Sequence, residues 1–110
     1  MIKVYLMCPY SHKRYHVRQS RVLLASRTAA YLMRQGYCVY SPLSHSDQIA
    51  HHIENHLDHD FWLRQCRPFV EWADEVHLIL ADGWDKSRGI ALELEWAKEL
   101  GKPVHYITPE

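Results

Sequence analysis

The chain has 110 residues, of which 47% are hydrophobic, and its thirteen basic side chains balance thirteen acidic ones. This length suffices for one hydrophobic core and is too short for two, so we expect a single domain over residues 1–110. The balanced charge argues against a nucleic-acid surface that works through bulk electrostatics. No apolar segment approaches the roughly 20 residues that cross a bilayer.

The cysteines and the start of the chain indicate the cellular compartment. Cys8, Cys38 and Cys66 are scattered, odd in number and without CxxC spacing. This pattern is typical of a reduced intracellular protein without structural disulfides or a thiolate metal site. The apolar run at residues 1–8 is interrupted by Pro9 and lacks the form of a signal peptide. We therefore expect a cytoplasmic protein.

Strand and helix patterns alternate along the chain. Short β-prone runs predict strands at residues 2–7, 37–40, 76–81 and 103–107. Apolar residues at helical spacing predict helices at residues 18–35, 46–57, 61–72 and 90–100. The alternation favours an α/β fold, namely a small doubly wound parallel sheet of about four strands with flanking helices, Rossmann-like or flavodoxin-like.

Three polar loops follow the first three predicted strands. They are CPYSH at residues 8–12, SPLSHSD at residues 41–47 and DGWDKSRG at residues 82–89. Ligands of doubly wound folds bind beyond the carboxyl ends of the strands. We expect these loops to converge on a binding site.

The last predicted helix contains three glutamates, which cannot all face water. At about 100° per residue, Glu93 falls within the apolar arc formed by Ile90, Leu94, Ala97 and Leu100. Glu95 and Glu99 fall on the polar side. Burial raises the pKa of a carboxyl group, whereas the helix amino end favours its anion. Glu93 is therefore a candidate nucleophile or general base; the alternative is that it reaches solvent or pairs with Arg88 or Lys86.

The start of this helix has two interpretations. The free backbone N–H groups at Ser87, Arg88 and Gly89, with the Ser87 hydroxyl, could hold an anion. Ser87 is equally a good N-cap, which requires no ligand and is the simpler interpretation of these residues alone.

Other polar and aromatic residues also suggest ligands. His52 and His56 are one helical turn apart, a spacing that can chelate a metal. The HExxH signature is missing, and an amphipathic helix with a polar face explains the run, so we predict no metal and no other cofactor. Trp84 lies beside the expected pocket and could stack on a base. Three arginines after the first loop could help to bind a phosphate, although a solvated helix face is the default interpretation for at least two of them: Arg14, Arg18 and Arg21.

The order of these segments resembles the nucleoside 2-deoxyribosyltransferase superfamily. This group includes the 2'-deoxynucleoside 5'-monophosphate N-glycosidases and small uncharacterised bacterial and viral proteins, which this chain resembles most. The matching segments are YLMCPYSH, SPLSHS and WADEVHLILADGWDKSRGIALELEWAKELGKPV. The most specific element is an alanine-aspartate pair, a hydrophobic strand, Ser-x-Gly-x-x-x-Glu and a closing GKPV. The likeness covers nearly the whole chain.

The resemblance implies a reaction and roles for particular residues. Glu93 would attack the anomeric carbon of a deoxynucleoside and form a glycosyl-enzyme, which water or an acceptor base then releases. Ser87 would hold a 5'-phosphate. Tyr10 and Ser11 would line the sugar and orient the nucleophile. His45 matches a histidine of the family loosely, because its loop varies in length.

The chain departs from the family pattern in two places. An aspartate that contacts or protonates the base normally precedes Asp74 by eight residues, and Cys66 occupies that position. A thiol is a weak substitute for this acid, so Asp82 or Asp47 takes its role, or the chemistry is impaired or different. Family members also often complete the pocket with a neighbour's C-terminal segment, and this chain stops soon after its fourth predicted strand.

These observations predict an enzyme that cleaves the N-glycosidic bond of a 2'-deoxynucleoside or its 5'-monophosphate. We expect hydrolysis rather than transfer, because Ser87 suits a nucleotide. The resemblance implies a homodimer or higher homo-oligomer, with no polymeric nucleic acid or membrane as partner. The alternative is a nucleotide-binding module that senses ligand without turnover, which Cys66 favours. The predicted catalytic residues are Glu93, Tyr10 and Asp82. The predicted substrate-binding residues are Ser11, His45, Asp47, Trp84, Ser87 and Gly89.

Overall fold

The structure is a computed structural model and describes residues 1–109. Within these residues, four strands alternate with four α-helices. In chain order they are β1 (Lys3–Met7), α1 (Tyr15–Arg34), β2 (Cys38–Tyr40), α2 (Pro42–Ala50), α3 (His59–Trp72), β3 (Glu75–Ile79), α4 (Arg88–Glu99) and β4 (Val104–Ile107). A 3-10 helix, Trp84–Lys86, precedes α4. The predicted α/β fold with a four-stranded sheet is confirmed.

The strands form one parallel sheet in the order β2-β1-β3-β4. The chain passes from β1 outward to β2 and then crosses to β3 on the other side of β1. The connections from β1 and β3 therefore run in opposite directions. A crevice opens at the carboxyl ends of two such strands, which is where doubly wound folds bind ligands.

The central strand β1 is buried on both faces of the sheet. Because successive side chains of a strand point to opposite faces, Val4 and Leu6 join a cluster with Ala25, Ala29 and Leu32 of α1. Tyr5 and Met7 join a second cluster with residues of α3 and α4. This alternation directs the Tyr5 side chain toward α4.

The second predicted helix differs from the structure. It was expected at residues 46–57, but α2 begins at Pro42 and ends at Ala50. Proline is favoured in the first turn of a helix because it lacks the N–H that would have no partner there. Residues 51–57 form turns, with Asn55 at a left-handed φ of 55°. His52 and His56 therefore do not share a helix face, and the predicted amphipathic helix at this segment is wrong.

Smaller differences occur at other boundaries. Helix α1 begins at Tyr15, before the predicted residue 18. Strand β3 ends at Ile79, earlier than the predicted residue 81. Helix α3 begins at His59 and is capped by Asp58, whose carboxylate accepts a hydrogen bond from the Asp60 backbone. Over residues 1–109, no helix has both the length and the apolar character needed to cross a membrane.

Gly83 allows the tight turn before the 3-10 helix, with a φ of 84°. We expect Gly83→Ala to lower the free energy of unfolding by about 1–2 kcal/mol, because a Cβ disfavours the left-handed conformation. A Cβ here would lie 3.5 Å from Arg21 Nη2, an ordinary contact, so the loss would be conformational. Gly83→Asn should cost less, since asparagine tolerates this region better. Urea unfolding measures both, and an alanine variant as stable as the wild type would contradict the interpretation.

Candidate active site

A cavity of about 530 Å³ opens at the carboxyl end of β1. Its volume lies within the range of small-molecule sites. The three predicted loops converge there, and they contribute Tyr10, Ser11, Asp47, Ser87 and Gly89 to its lining. The second of these segments is the start of α2 rather than a loop.

Glu93 lies in the wall of this cavity and is 9% exposed. The helix pattern that placed it on the inner face of α4 is confirmed. The hydroxyl of Tyr5, which is fully buried, donates a hydrogen bond to Glu93 Oε2. Arg88 instead pairs with Asp60 at 3.4 Å. The carboxylate is therefore oriented by a neutral donor rather than by a cation.

The burial of Glu93 changes its acidity. Desolvation raises the pKa of Glu93 to about 7, although the Tyr5 hydrogen bond acts in the opposite direction. Desolvation, followed by the charge of Glu93, raises the pKa of Tyr5 well above its usual value. Tyr5 thus stays protonated as a donor, while Glu93 exchanges its proton near neutral pH. This behaviour suits a nucleophile or a general base.

Cys66 of α3 also lines the cavity, close to Tyr5 and Glu93. Burial, and then the charge of Glu93, raises the pKa of the Cys66 thiol to about 11. The thiol is neutral at pH 7 and therefore does not repel the carboxylate electrostatically. The position that carries an aspartate in the resembling family holds an uncharged group in this chain.

Polar groups meet where α4 begins. Ser87 Oγ accepts a hydrogen bond from the backbone N–H of Ile90 at 3.2 Å, so the N-cap role is present. His59 Nε2 lies 2.7 Å from Ser11 Oγ. Gly89 lies beside this imidazole, and a Cβ there would be 3.4 Å from His59 Cε1, an ordinary contact. His59 was missed in the sequence, since no motif distinguishes it from the neighbouring histidines.

Basic groups also line the cavity. Arg18 lines it, and its Nη1 donates to the His12 carbonyl at 2.6 Å. The buried Nε of Arg18 has no hydrogen-bond partner among residues 1–109. Desolvation, and then the charges of Arg21 and Arg14, lower the pKa of His12. The local field at this rim is therefore positive.

The three arginines after the first loop have different positions. Arg18 lines the cavity. Arg21 joins two loops, because its guanidinium donates to the carbonyls of Ser11 at 2.9 Å and Asp82 at 2.8 Å. Arg14 is exposed. The solvated-face interpretation therefore applies to Arg14 and not to the other two.

Three residues predicted for the site lie outside the cavity lining: Asp82, His45 and Trp84. Asp82 is exposed on the turn that Arg21 holds. The His45 imidazole packs against Tyr40, with Nδ1 3.3 Å from the Tyr40 hydroxyl. Trp84 packs on the second core cluster and beside Tyr106. The turn after β3 directs the Trp84 side chain toward Tyr106 of β4 and away from the cavity.

Two roles predicted from the sequence belong to different residues in the structure. The hydroxyl that bonds Glu93 was predicted at Tyr10, which lines the cavity, but Tyr5 provides it. The tryptophan that lines the cavity is Trp62 rather than Trp84. The Trp62 indole N–H donates to the His56 carbonyl at 2.6 Å, which fixes the ring. Trp62 and Cys66 share one face of α3, so a helical wheel of this segment could have found them together.

The fold and this cavity define a doubly wound parallel α/β protein with a buried carboxylate at the carboxyl edge of its sheet. A family model with the description "Domain of unknown function (DUF1937)" matches residues 2–108. The chain belongs to this family.

The fold is similar to that of a solved 2-deoxyribosyltransferase from the psychrotolerant bacterium Bacillus psychrosaccharolyticus. The TM-score is 0.68 at 24% sequence identity, and the likeness covers 96% of this chain and 72% of that chain. At 24% identity the similarity shows the fold alone. The resemblance predicted from the sequence is therefore supported for the fold. No curated protein matches the chain.

The raised pKa of Glu93 predicts a pH-dependent cost to stability. In the unfolded chain the carboxyl has a pKa near 4.5, and in the folded protein near 7, so the folded state holds the proton more tightly. The stabilisation that the bound proton gives to the folded state is complete below the pKa of the carboxyl in the unfolded chain, and it is lost as the pH rises through 7. Glu93→Gln should therefore be more stable than the wild type at pH 8 by roughly 3 kcal/mol, with little difference at pH 4.

Thermal and urea unfolding at both pH values measure this difference. Glu95→Gln is the matched control, because Glu95 is exposed on the same helix, and it should show no such effect. If Glu93→Gln is less stable than the wild type at pH 8, the carboxylate contributes favourable contacts that outweigh its desolvation.

Proposed function

We propose that this protein cleaves the N-glycosidic bond of a 2'-deoxynucleoside or its 5'-monophosphate through a glycosyl-enzyme on Glu93. The observation that carries the proposal is the buried Glu93 carboxylate, held by Tyr5 at the wall of a cavity of nucleoside size. The similarity of the fold to that of a 2-deoxyribosyltransferase supports the same class of substrate.

In the first step, the deprotonated Glu93 attacks the anomeric carbon and the C–N bond breaks. The base leaves with the electron pair of that bond and takes up a proton. Tyr5 holds Glu93 Oε2, so the other carboxylate oxygen is available for attack. In the second step, water attacks the anomeric carbon and gives its proton to the group that protonated the base, and the bond to Glu93 breaks to restore the carboxylate.

Protonation of the departing base requires an acid. The sequence offers Asp82 or Asp47 as a substitute for the aspartate missing at Cys66, and of these Asp47 lines the cavity whereas Asp82 does not. Asp47 Oδ1 accepts a hydrogen bond from Gln19 at 3.2 Å. We assign the acid role to Asp47, with Trp62 as the surface on which the base rests.

The entrance of the cavity favours a 5'-phosphate on the substrate. Ser87 and the N–H groups at the start of α4 are suited to an anion. The Arg18 Nε is a buried donor without a partner among the described residues, which a phosphate oxygen would satisfy. In the proposal, Ser11 and Tyr10 lie between the phosphate-binding groups and Glu93, and they contact the sugar. A phosphorylated substrate favours hydrolysis over transfer, because the proposal includes no second base site.

The second candidate function is a nucleotide-binding module without turnover. The neutral thiol of Cys66 favours it, because a thiol with a pKa of about 11 is a poor acid for the leaving base. The same cavity and phosphate-binding groups would then hold a nucleotide that is not cleaved.

Release of free base distinguishes the two functions. The protein is incubated with each deoxynucleoside and each deoxynucleoside 5'-monophosphate, and the free base is measured by chromatography. We expect release that Glu93→Gln lowers on the order of 10³-fold or more, because the nucleophile is lost. Glu95→Gln should retain full activity. Tight binding without release would support the module, and release that survives Glu93→Gln would exclude Glu93 as the nucleophile.

The pH profile tests the role of Tyr5. For the wild type, kcat/KM should rise with pH along a limb with an apparent pKa near 7, as Glu93 loses its proton. The Tyr5 hydrogen bond lowers that pKa, so Tyr5→Phe should move the limb to higher pH and lower the plateau. Tyr31→Phe, on the exposed side of α1, is the control. An unchanged limb in Tyr5→Phe would show that Tyr5 does not act on Glu93 in solution.

A further inference from the structure

A second group of titratable side chains lies on the sheet, away from the cavity. It consists of Glu75 and His77 on β3 and His105 on β4. His77 and His105 are direct partners in the parallel register, and Glu75 precedes His77 by two residues. The three side chains therefore project from one face of the sheet, the face opposite Tyr5 and Glu93. We refer to them as the β3–β4 cluster.

The distances within the β3–β4 cluster suit a metal ion. One ligand atom from each side chain lies within 4.8 Å of the other two. His77 Nε2 is 2.9 Å from Glu75 Oε1, and His105 Nε2 is 3.5 Å from Glu75 Oε2. Two ligands of a tetrahedral zinc ion with bonds of ~2.1 Å are separated by about 3.4 Å. The His105–Glu75 distance is close to that value, and the shorter His77–Glu75 distance would widen as the ion replaces the hydrogen bond between them.

The surroundings of Glu75 also favour a cation. The side chains of Glu75 and His77 are 15% and 6% exposed. Within residues 1–109, the imidazoles of His77 and His105 are the basic groups within ion-pair distance of the Glu75 carboxylate, and no lysine or arginine lies that close. A carboxylate removed from water requires a positive partner or loses its charge. A divalent ion would supply that charge directly.

The fold keeps the β3–β4 cluster both rigid and accessible. The Tyr37 ring packs edge-on against His77, with ring centroids 5.3 Å apart, which restricts the rotation of the imidazole. His105 is 54% exposed at the edge strand β4. Two ligands are therefore fixed before binding, and the third closes from the solvent side.

We propose that Glu75, His77 and His105 bind zinc, or a similar late first-row divalent cation, with the fourth position open to solvent. Two neutral imidazoles and one carboxylate are a ligand set that zinc uses in sites that keep an open position. The imidazole nitrogens bind without their protons, so zinc replaces the hydrogen bond between His77 and Glu75. This site is separate from the N-glycosidic chemistry and does not depend on it.

The test is a zinc titration of the full chain without a histidine tag, by calorimetry and by competition with a chromogenic chelator. We expect one zinc ion per chain. His105→Gln should weaken binding at least tenfold, and this exposed position should tolerate the change. Glu75→Gln, which keeps the shape of the side chain, should weaken binding as well. The matched control changes His51 and His52 to glutamine together, since both are exposed on the turn after α2, and it should bind like the wild type.

Two further measurements accompany the titration. Zinc should raise the thermal midpoint of the wild type by more than that of His105→Gln at the same concentration, because the stabilisation of the folded state grows with the affinity for the ligand. Cobalt in place of zinc should show ligand-field bands without a thiolate charge-transfer band. Absence of binding, binding that His105→Gln leaves intact, loss of binding in the His51/His52 control, or a thiolate band would each overturn the proposal.

Discussion

The contact between Tyr5 and Glu93 constrains both the core and the cavity. Tyr5 belongs to a strand that is buried on both faces, so its hydroxyl has little access to water and requires a partner inside the protein. Glu93 supplies that partner, but its own burial raises its pKa to about 7. The hydrogen bond offsets only part of the desolvation of the carboxylate. The apolar burial in the two clusters on either side of the sheet compensates for the remaining desolvation cost of Glu93.

The elements that follow from periodicity were predicted well. The buried strands β1 and β3 are apolar runs, and the inward position of Glu93 follows from the helical repeat of α4. The helix after β2 was predicted with the wrong bounds, because the alternation of histidines with Ile53 and Leu57 fits a helix as well as it fits turns. Pro42 at the start of α2 was the available signal. The left-handed Asn55 that accompanies the turns leaves no distinct pattern in the sequence.

The convergence of three segments at one edge of the sheet was predicted, but the contacts among their side chains were not. That three segments meet at one edge follows from the parallel sheet, whose strands end on the same side. Which side chains meet depends on register and on the path of each loop. Tyr5 and Glu93 are 88 residues apart in sequence, and the pairing of β1 with β3 and the packing of α4 bring them together. Trp84 was expected at the cavity because of its sequence neighbours, yet the turn at Gly83 directs it toward Tyr106.

The same sheet can hold two polar sites because its faces are covered unequally. Helices α3 and α4 pack over one face, where Val76 and Leu78 of β3 point. On the other face α1 covers β1, and His105 at the edge strand stays half exposed. The alternation of β3 thus places His77 on the same face as His105 and on the face opposite Glu93. Because the sheet separates the two sites and they share no side chain, the effects on stability of changes in the β3–β4 cluster and at Glu93 should add. A coupling between them would require movement of β3 itself, whose four buried residues from Val76 to Ile79 resist it.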